Sequence, residues 1–207
     1  MTAIIDYGVG NLFSLLSSIK KIGEEAVVTS DKEVLDRADR IILPGVGAFC
    51  DAAAKLRESG LVPVLMEQIK KGKPVMGICL GMQLLFDKSY EYGEYEGLGL
   101  IKGEIRPISE AVSGLKIPHM GWNALTFTGS RHPLFKYIND GDYVYFVHSY
   151  CADGCEKSVI AQTSYGADIT AAAANGSVMG TQFHPEKSGE TGLNILRAFC
   201  EIKKGDL

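Results

Sequence analysis

The N-terminal half of the chain alternates short, unbroken apolar runs with stretches of helical period, and this alternation restricts the fold more than any other feature. Ala3-Ile4-Ile5 is ended by Asp6-Tyr7-Gly8-Val9-Gly10-Asn11 and gives way to Leu12, Leu15, Leu16 and Ile19 at helical spacing. Asn11 stands where an N-cap is expected and Gly23 where a helix stop is expected. Ala26-Val27-Val28 reads as a second strand, and Ser30 and Glu33 after it have capping-box spacing for a short helix. Arg40-Ile41-Ile42-Leu43 is a third strand, broken by Pro44-Gly45-Val46-Gly47. Helix fills about Phe49 to Lys71 with an interruption near Gly60; Pro74 to Ile78 is a fourth strand running into Cys79, and Leu80 to Phe86 resumes a helical pattern. Strands that lack polar alternation and are interleaved with helices imply a central, mostly parallel sheet covered on both faces.

From Leu98 onward the period changes. Tyr143 to Val147 alternates, and Asn175-Gly176 between Ile169–Ala174 and Ser177–Phe183 is a type I′ hairpin signal, so antiparallel strands are added in the C-terminal half. Thr191 to Lys203 closes as a helix with Leu193, Leu196, Phe199 and Cys200 on one face. With 207 residues and no repeat, low-complexity tract or linker, one α/β domain over residues 1–207 is expected.

A net charge of −4 with scattered Lys and Arg offers no stripe to neutralise a phosphate backbone or an anionic membrane. No Lys or Arg precedes Lys20, so a charged leader is not expected, and no uncharged stretch reads as a spanning helix. Cys50, Cys79, Cys151, Cys155 and Cys200 form an odd set without a framework, which points to reduced thiols and a cytoplasmic chain.

One of those thiols sits in a distinctive frame. Gly77-Ile78-Cys79-Leu80-Gly81 lies where a buried strand turns into a helix, the arrangement of a G-x-S-x-G elbow with Cys in place of Ser. The positive end of the helix favours the thiolate, and the Leu80 amide is placed to stabilise an oxyanion. Without other signals, a buried structural cysteine explains the pattern equally well. A proton partner is therefore needed, and His119, His132, His148 and His184 are available. His184 follows an apolar strand and precedes Pro185, and Glu186 is placed to accept its second ring N–H and fix the tautomer. His148, at the end of Tyr143–Val147, competes for the base role, with a neutral structural histidine as its other reading.

Gly77-Ile78-Cys79-Leu80-Gly81-Met82-Gln83 together with Phe183-His184-Pro185-Glu186 resembles the class I (triad) glutamine amidotransferases. Within that family the chain looks like the glutaminases that serve imidazole glycerol phosphate synthase, on Asp6 to Asn11, Pro44 to Gly47, Pro118 to Asn123 and Tyr145 to Tyr150. The resemblance spans nearly the whole chain and implies a flavodoxin-like α/β fold with a Cys79-His184-Glu186 triad. It implies glutamine as substrate, a thioester on Cys79, and ammonia passed to a (β/α)₈-barrel cyclase subunit in a heterodimer, yielding imidazole glycerol phosphate and an aminoimidazole ribotide. By the same resemblance Val46, Gly47 and Leu80 form the oxyanion hole. Gly47, Gln83, Glu91, His148, Ser149 and Tyr150 hold substrate, and Asn11, Met120, Trp122, Tyr145 and Lys187 meet the partner.

No cofactor or metal is expected. Gly8-Val9-Gly10 begins a dinucleotide fingerprint, but Phe13 stands at the third glycine position. Cys151 and Cys155 near His148 fall short of a four-ligand zinc pattern. Tyr90 to Glu96 reads as a mobile surface loop beside the site. Two alternatives stay open: a glutaminase serving a different synthase, and an inactive regulatory homologue.

Overall fold

The computed structural model describes residues 1–206. Its first half contains β1 (Thr2–Ile5), α1 (Leu12–Lys21), β2 (Ala26–Thr29), α2 (Lys32–Arg37), β3 (Arg40–Leu43), α3 (Phe49–Glu58), α4 (Val62–Lys70), β4 (Val75–Ile78) and α5 (Leu80–Gln83). The second half adds β5 (Lys88–Ser89), β6 (Tyr95–Glu96), β7 (Glu104–Pro107), β8 (His119–Ala124), β9 (Thr126–Phe127), β10 (Tyr143–His148), β11 (Tyr150–Asp153), β12 (Val159–Ser164), β13 (Asp168–Asn175), β14 (Val178–Thr181) and α6 (Gly189–Glu201).

An eight-stranded sheet runs β2-β1-β3-β4-β14-β13-β12-β9. Strands β2, β1, β3, β4 and β14 are parallel, and β13, β12 and β9 continue antiparallel. The two-residue period of the strands divides the core. Ala3, Ile5, Ile41, Leu43 and Val75 face Leu35, Phe49, Leu56 and Leu65 from α2, α3 and α4. Ile4, Ile42, Met76 and Ile78 face Leu15 and Ile19 of α1 and Ile195, Leu196 and Phe199 of α6. Helices on both faces explain why the strands read as continuous apolar runs. A pair β10-β8 and a four-stranded sheet β11-β7-β5-β6 complete the C-terminal half. Among the described residues no helix is long and apolar enough to cross a membrane.

Several local expectations are corrected. Asp31, not Ser30, caps α2, accepting the Glu33 N–H at 2.8 Å. Asn11 occupies the cap position of α1, but its side chain makes no capping bond. The helix expected over Leu80–Phe86 stops at Gln83, because Leu84, Leu85 and Phe86 give their carbonyls to the N–H groups of residues 98–101 rather than to a following turn. In the β13–β14 hairpin Asn175 pairs with Val178, so the turn is Gly176-Ser177. Only Gly176 of the two has positive φ, the sign pattern of type II′ rather than I′. Helix α6 buries Ile195 in the stripe, with Leu193 only half-buried. Residues 90–94 form the loop of the β5–β6 hairpin, and only Tyr95 and Glu96 of the expected loop join the smaller sheet as a strand.

Candidate active site

Strands β4 and β14 lie side by side and parallel, with Thr181 opposite Ile78. The Cys79 N–H continues the ladder to the Thr181 carbonyl at 2.7 Å, so Cys79 and the segment Gln182–Glu186 leave the sheet together at the carboxyl ends of these two central strands. Two pieces of sequence a hundred residues apart are thereby fixed against each other by backbone bonds.

Cys79 itself adopts φ 53°, ψ −111°, a conformation that costs a non-glycine residue on the order of 1–3 kcal/mol. The flanking glycines make it attainable. A Cβ on Gly77 would meet the Gly81 carbonyl at 2.5 Å, and a Cβ on Gly81 would lie 1.9 Å from the Leu43 carbonyl. Gly45 passes equally close, its would-be Cβ 2.5 Å from the Gly81 N. Segments 43–47 and 77–81 therefore cross in contact only because side chains are missing there. Leu80 takes the first position of α5, where helix geometry leaves its N–H without an intrahelical partner.

The sulfur opens into a cavity of about 380 Å³ that His184 also lines. His184 Nδ1 donates to Glu186 Oε1 at 2.8 Å, and both side chains are buried. Burial pulls the His184 pKa down, but bonds to Cys79 and Glu186 and their charges override it and raise the ring to about 9. The arrangement stabilises an imidazolium beside the sulfur, as proton exchange with a nucleophile requires.

Val46, Gly47, Gln83, Glu91, His148, Ser149, Tyr150 and Lys187 line the same cavity. Gln83 donates to the Tyr150 carbonyl at 3.2 Å and to Gln182 Oε1 at 3.0 Å. With both amide hydrogens engaged, Gln83 offers a ligand its carbonyl oxygen. Glu91 Oε2 accepts the Phe49 N–H at the start of α3, and burial raises its pKa. Together these are acceptors suited to an ammonium group. His148 donates Nδ1–H to the Tyr150 carbonyl at 2.8 Å, and burial pushes it down to about 4, so it is neutral rather than a competing base. Gly47 has φ +92° with open space around a Cβ, so backbone strain alone selects glycine there.

The five residues expected at the partner interface divide. Met120 and Trp122 on β8 are 60% and 53% exposed, which excludes a core role for Trp122. Tyr145 stands opposite Trp122 in the β10–β8 ladder with ring centroids 6.0 Å apart, while Phe146 points inward. Lys187 belongs to the cavity mouth, and Asn11 lines a small cavity with His184 and Glu186. Phe13, weighed in the sequence only as a break in a dinucleotide fingerprint, is 81% exposed at the start of α1, as its position off the Leu12/Leu15/Ile19 stripe signalled. Tyr7, given no role from the sequence, donates its buried hydroxyl to the Pro44 carbonyl at 2.7 Å, two residues before Val46. Cys151 and Cys155 are buried, and burial pushes the Cys151 thiol up to about 12.

Residues 3–202 match the family model described as glutamine amidotransferase class-I. The chain is 50% identical over 205 residues to the imidazole glycerol phosphate synthase subunit HisH of Caldanaerobacter subterraneus, covering 99% of each. It is 48% identical over 208 residues to the same subunit of Sulfurimonas denitrificans, covering 98% of this chain and 99% of that one. Among solved structures, PurLQS from Thermotoga maritima superimposes with a TM-score of 0.74 at 22% identity, covering 96% of each chain. The glutaminase domain of Trypanosoma brucei CTPS with bound acivicin gives 0.61 at 18% identity, covering 96% of this chain and 92% of that one. At these identities the structural likeness speaks for the fold.

Proposed function

This chain belongs to the class-I glutamine amidotransferase family and acts as the glutaminase subunit of imidazole glycerol phosphate synthase in histidine biosynthesis; we propose that Cys79, His184 and Glu186 carry out its hydrolysis of glutamine. The observation that carries this assignment is the buried His184–Glu186 bond at 2.8 Å, in a cavity shared with a strained cysteine at a strand-to-helix elbow.

The Cys79 sulfur attacks the side-chain carbonyl carbon of glutamine, and the oxygen takes up the negative charge. Leu80 N–H and a peptide N–H from the Val46–Gly47 segment stabilise that oxyanion. The His184 imidazolium protonates the departing nitrogen, which leaves as ammonia, and a glutamyl thioester remains on Cys79. Water, deprotonated by His184, then attacks the thioester; glutamate departs and the sulfur regains its proton. Glu186 holds the ring in the required tautomer throughout. Gln83 and Glu91 receive the substrate's ammonium group through their free oxygens, with Ser149 and Tyr150 lining the same cavity.

Ammonia goes to a cyclase subunit, which we take to be a (β/α)₈ barrel bound as a heterodimer over Met120, Trp122, Tyr145, Lys187 and Asn11. The exposed aromatic and thioether surface of β8 beside the cavity supports this docking face. A cytoplasmic location accords with the five unpaired thiols. The glycine-selected backbone at Gly47 lets its peptide flip at low steric cost, so the second oxyanion donor is set when the liganded partner docks. The test is glutaminase turnover by the chain alone, with the cyclase subunit, and with that subunit and its ribulosyl substrate. Turnover is expected to be near background alone and to rise at least a hundredfold, about 3 kcal/mol, in the liganded complex. Equal turnover in all three would refute the partner dependence.

A further inference from the structure

We propose that Gln182 is a positioning residue for the nucleophile, donating an N–H to the Cys79 sulfur while its carbonyl oxygen holds the substrate-binding Gln83. The inference rests on Cys79 being the nucleophile.

Gln182 is wholly buried, and its backbone N–H is spent on the Ala171 carbonyl at 2.8 Å. Its side chain makes two contacts: Oε1 accepts from Gln83 Nε2 at 3.0 Å, and Nε2 lies 3.7 Å from Cys79 Sγ. The direction of this chain is fixed from its far end. The Tyr150 carbonyl can only accept, so the Gln83 group facing it at 3.2 Å must be the NH₂. That same NH₂ meets Gln182, which must answer with its oxygen. The Gln182 NH₂ is thereby turned toward the sulfur, with no second orientation that satisfies both neighbours. A donor aimed at sulfur favours the anionic form over the thiol and fixes where its lone pairs point. A buried glutamine immediately after β14 thus links substrate holding to nucleophile orientation, because β14 and β4 are adjacent and Gln182 leaves the sheet beside Cys79.

Two substitutions separate this role from simple filling of space. Gln182→Glu keeps an oxygen for Gln83 and removes the donor to sulfur, whereas Gln182→Met removes both. The pH dependence of Cys79 alkylation by iodoacetamide, read by peptide mass spectrometry, reports the sulfur. The titratable groups sharing its cavity are His184, His148, Tyr150, Glu91 and Lys187, and all remain in both variants; Gln182→Glu adds a carboxylate beside the sulfur, so Gln182→Met isolates the loss of the donor. Gln182→Met is expected to move the alkylation midpoint up by about one pH unit and Gln182→Glu, whose carboxylate repels the thiolate, by at least as much; both should lower kcat in the cyclase complex by about tenfold. KM for glutamine should stay within about twofold in the Glu variant and rise severalfold in the Met variant, since only the latter frees Gln83. An unchanged midpoint with unchanged kcat would overturn the proposal, whereas failure of Cys79 to alkylate at all would count against the nucleophile assignment instead. If either variant does not fold, the unsubstituted chain decides. The Gln182 side-chain amide protons, one of four glutamine sets in an NMR spectrum of the labelled protein, should shift when Cys79 is alkylated. Their failure to move would equally overturn it.

Discussion

Glu186 Oε1 accepts from His184 Nδ1 and so fixes the tautomer of the proposed base, and both side chains are buried. Replacing Glu186 by Gln is expected to lower kcat by roughly 10²- to 10⁴-fold in the cyclase complex, as for other triad orienters. The same change bears on pH. A ring raised to about 9 from an unfolded value near 6.5 stabilises the fold fully below pH 6.5, and that contribution is lost as pH rises through 9. Thermal unfolding of Glu186→Gln should therefore lose less stability between pH 6.5 and 9 than the parent chain does; an identical slope would contradict the ion pair. The residues proposed as the triad, Cys79, His184 and Glu186, could be singled out in the sequence because each sits in a short local signature, Gly77–Gly81 or Phe183–Glu186. Gln182 and Tyr7 could not be, because their meaning lies in partners 103 and 37 residues away.

At the scale of elements, the crossing of segments 43–47 and 77–81 is the feature on which the site's geometry depends. Gly81→Ala puts a methyl 1.9 Å from the Leu43 carbonyl, an overlap with rigid backbone, and should cost at least the 1–3 kcal/mol usual for overpacking, about 2–12 °C in Tm, along with most activity. Tyr7→Phe removes the tie to Pro44 and leaves its carbonyl without that donor, next to the segment proposed to supply an oxyanion donor. A loss of about 1 kcal/mol, 2–4 °C in Tm, is expected by calorimetry. The strands were readable because continuous apolar runs leave few other choices, and the helices because their stripes face a core. The pairing of β14 with β4 was not readable, since nothing in Val178–Thr181 names its neighbour. The length of α5 failed for a related reason: residues 98–101 capture the carbonyls that would have extended the helix, and a local pattern cannot register that competition.

For the molecule as a whole, two apolar layers share the strands of one sheet, with Ile4 in one and Ile5 in the other. We propose that residues 1–207 form one cooperative unit, so calorimetric and van't Hoff enthalpies of unfolding should agree. His132 and His148 are both pushed to about 4 by burial, so stability is lost as pH falls from 6.5 through 4. With the opposite trend from His184, Tm should peak near pH 6.5; a monotonic rise to pH 9 would contradict the assigned histidine states. The triad assignment is tested most directly by covalent mapping: the complex is treated with an electrophilic glutamine analogue, and its adduct is located by peptide mass spectrometry. One equivalent on Cys79, blocked by glutamine, absent in Cys79→Ser and strongly slowed in His184→Ala, is the expected result. An adduct on another residue, or undiminished glutaminase turnover in Cys79→Ser, would contradict it.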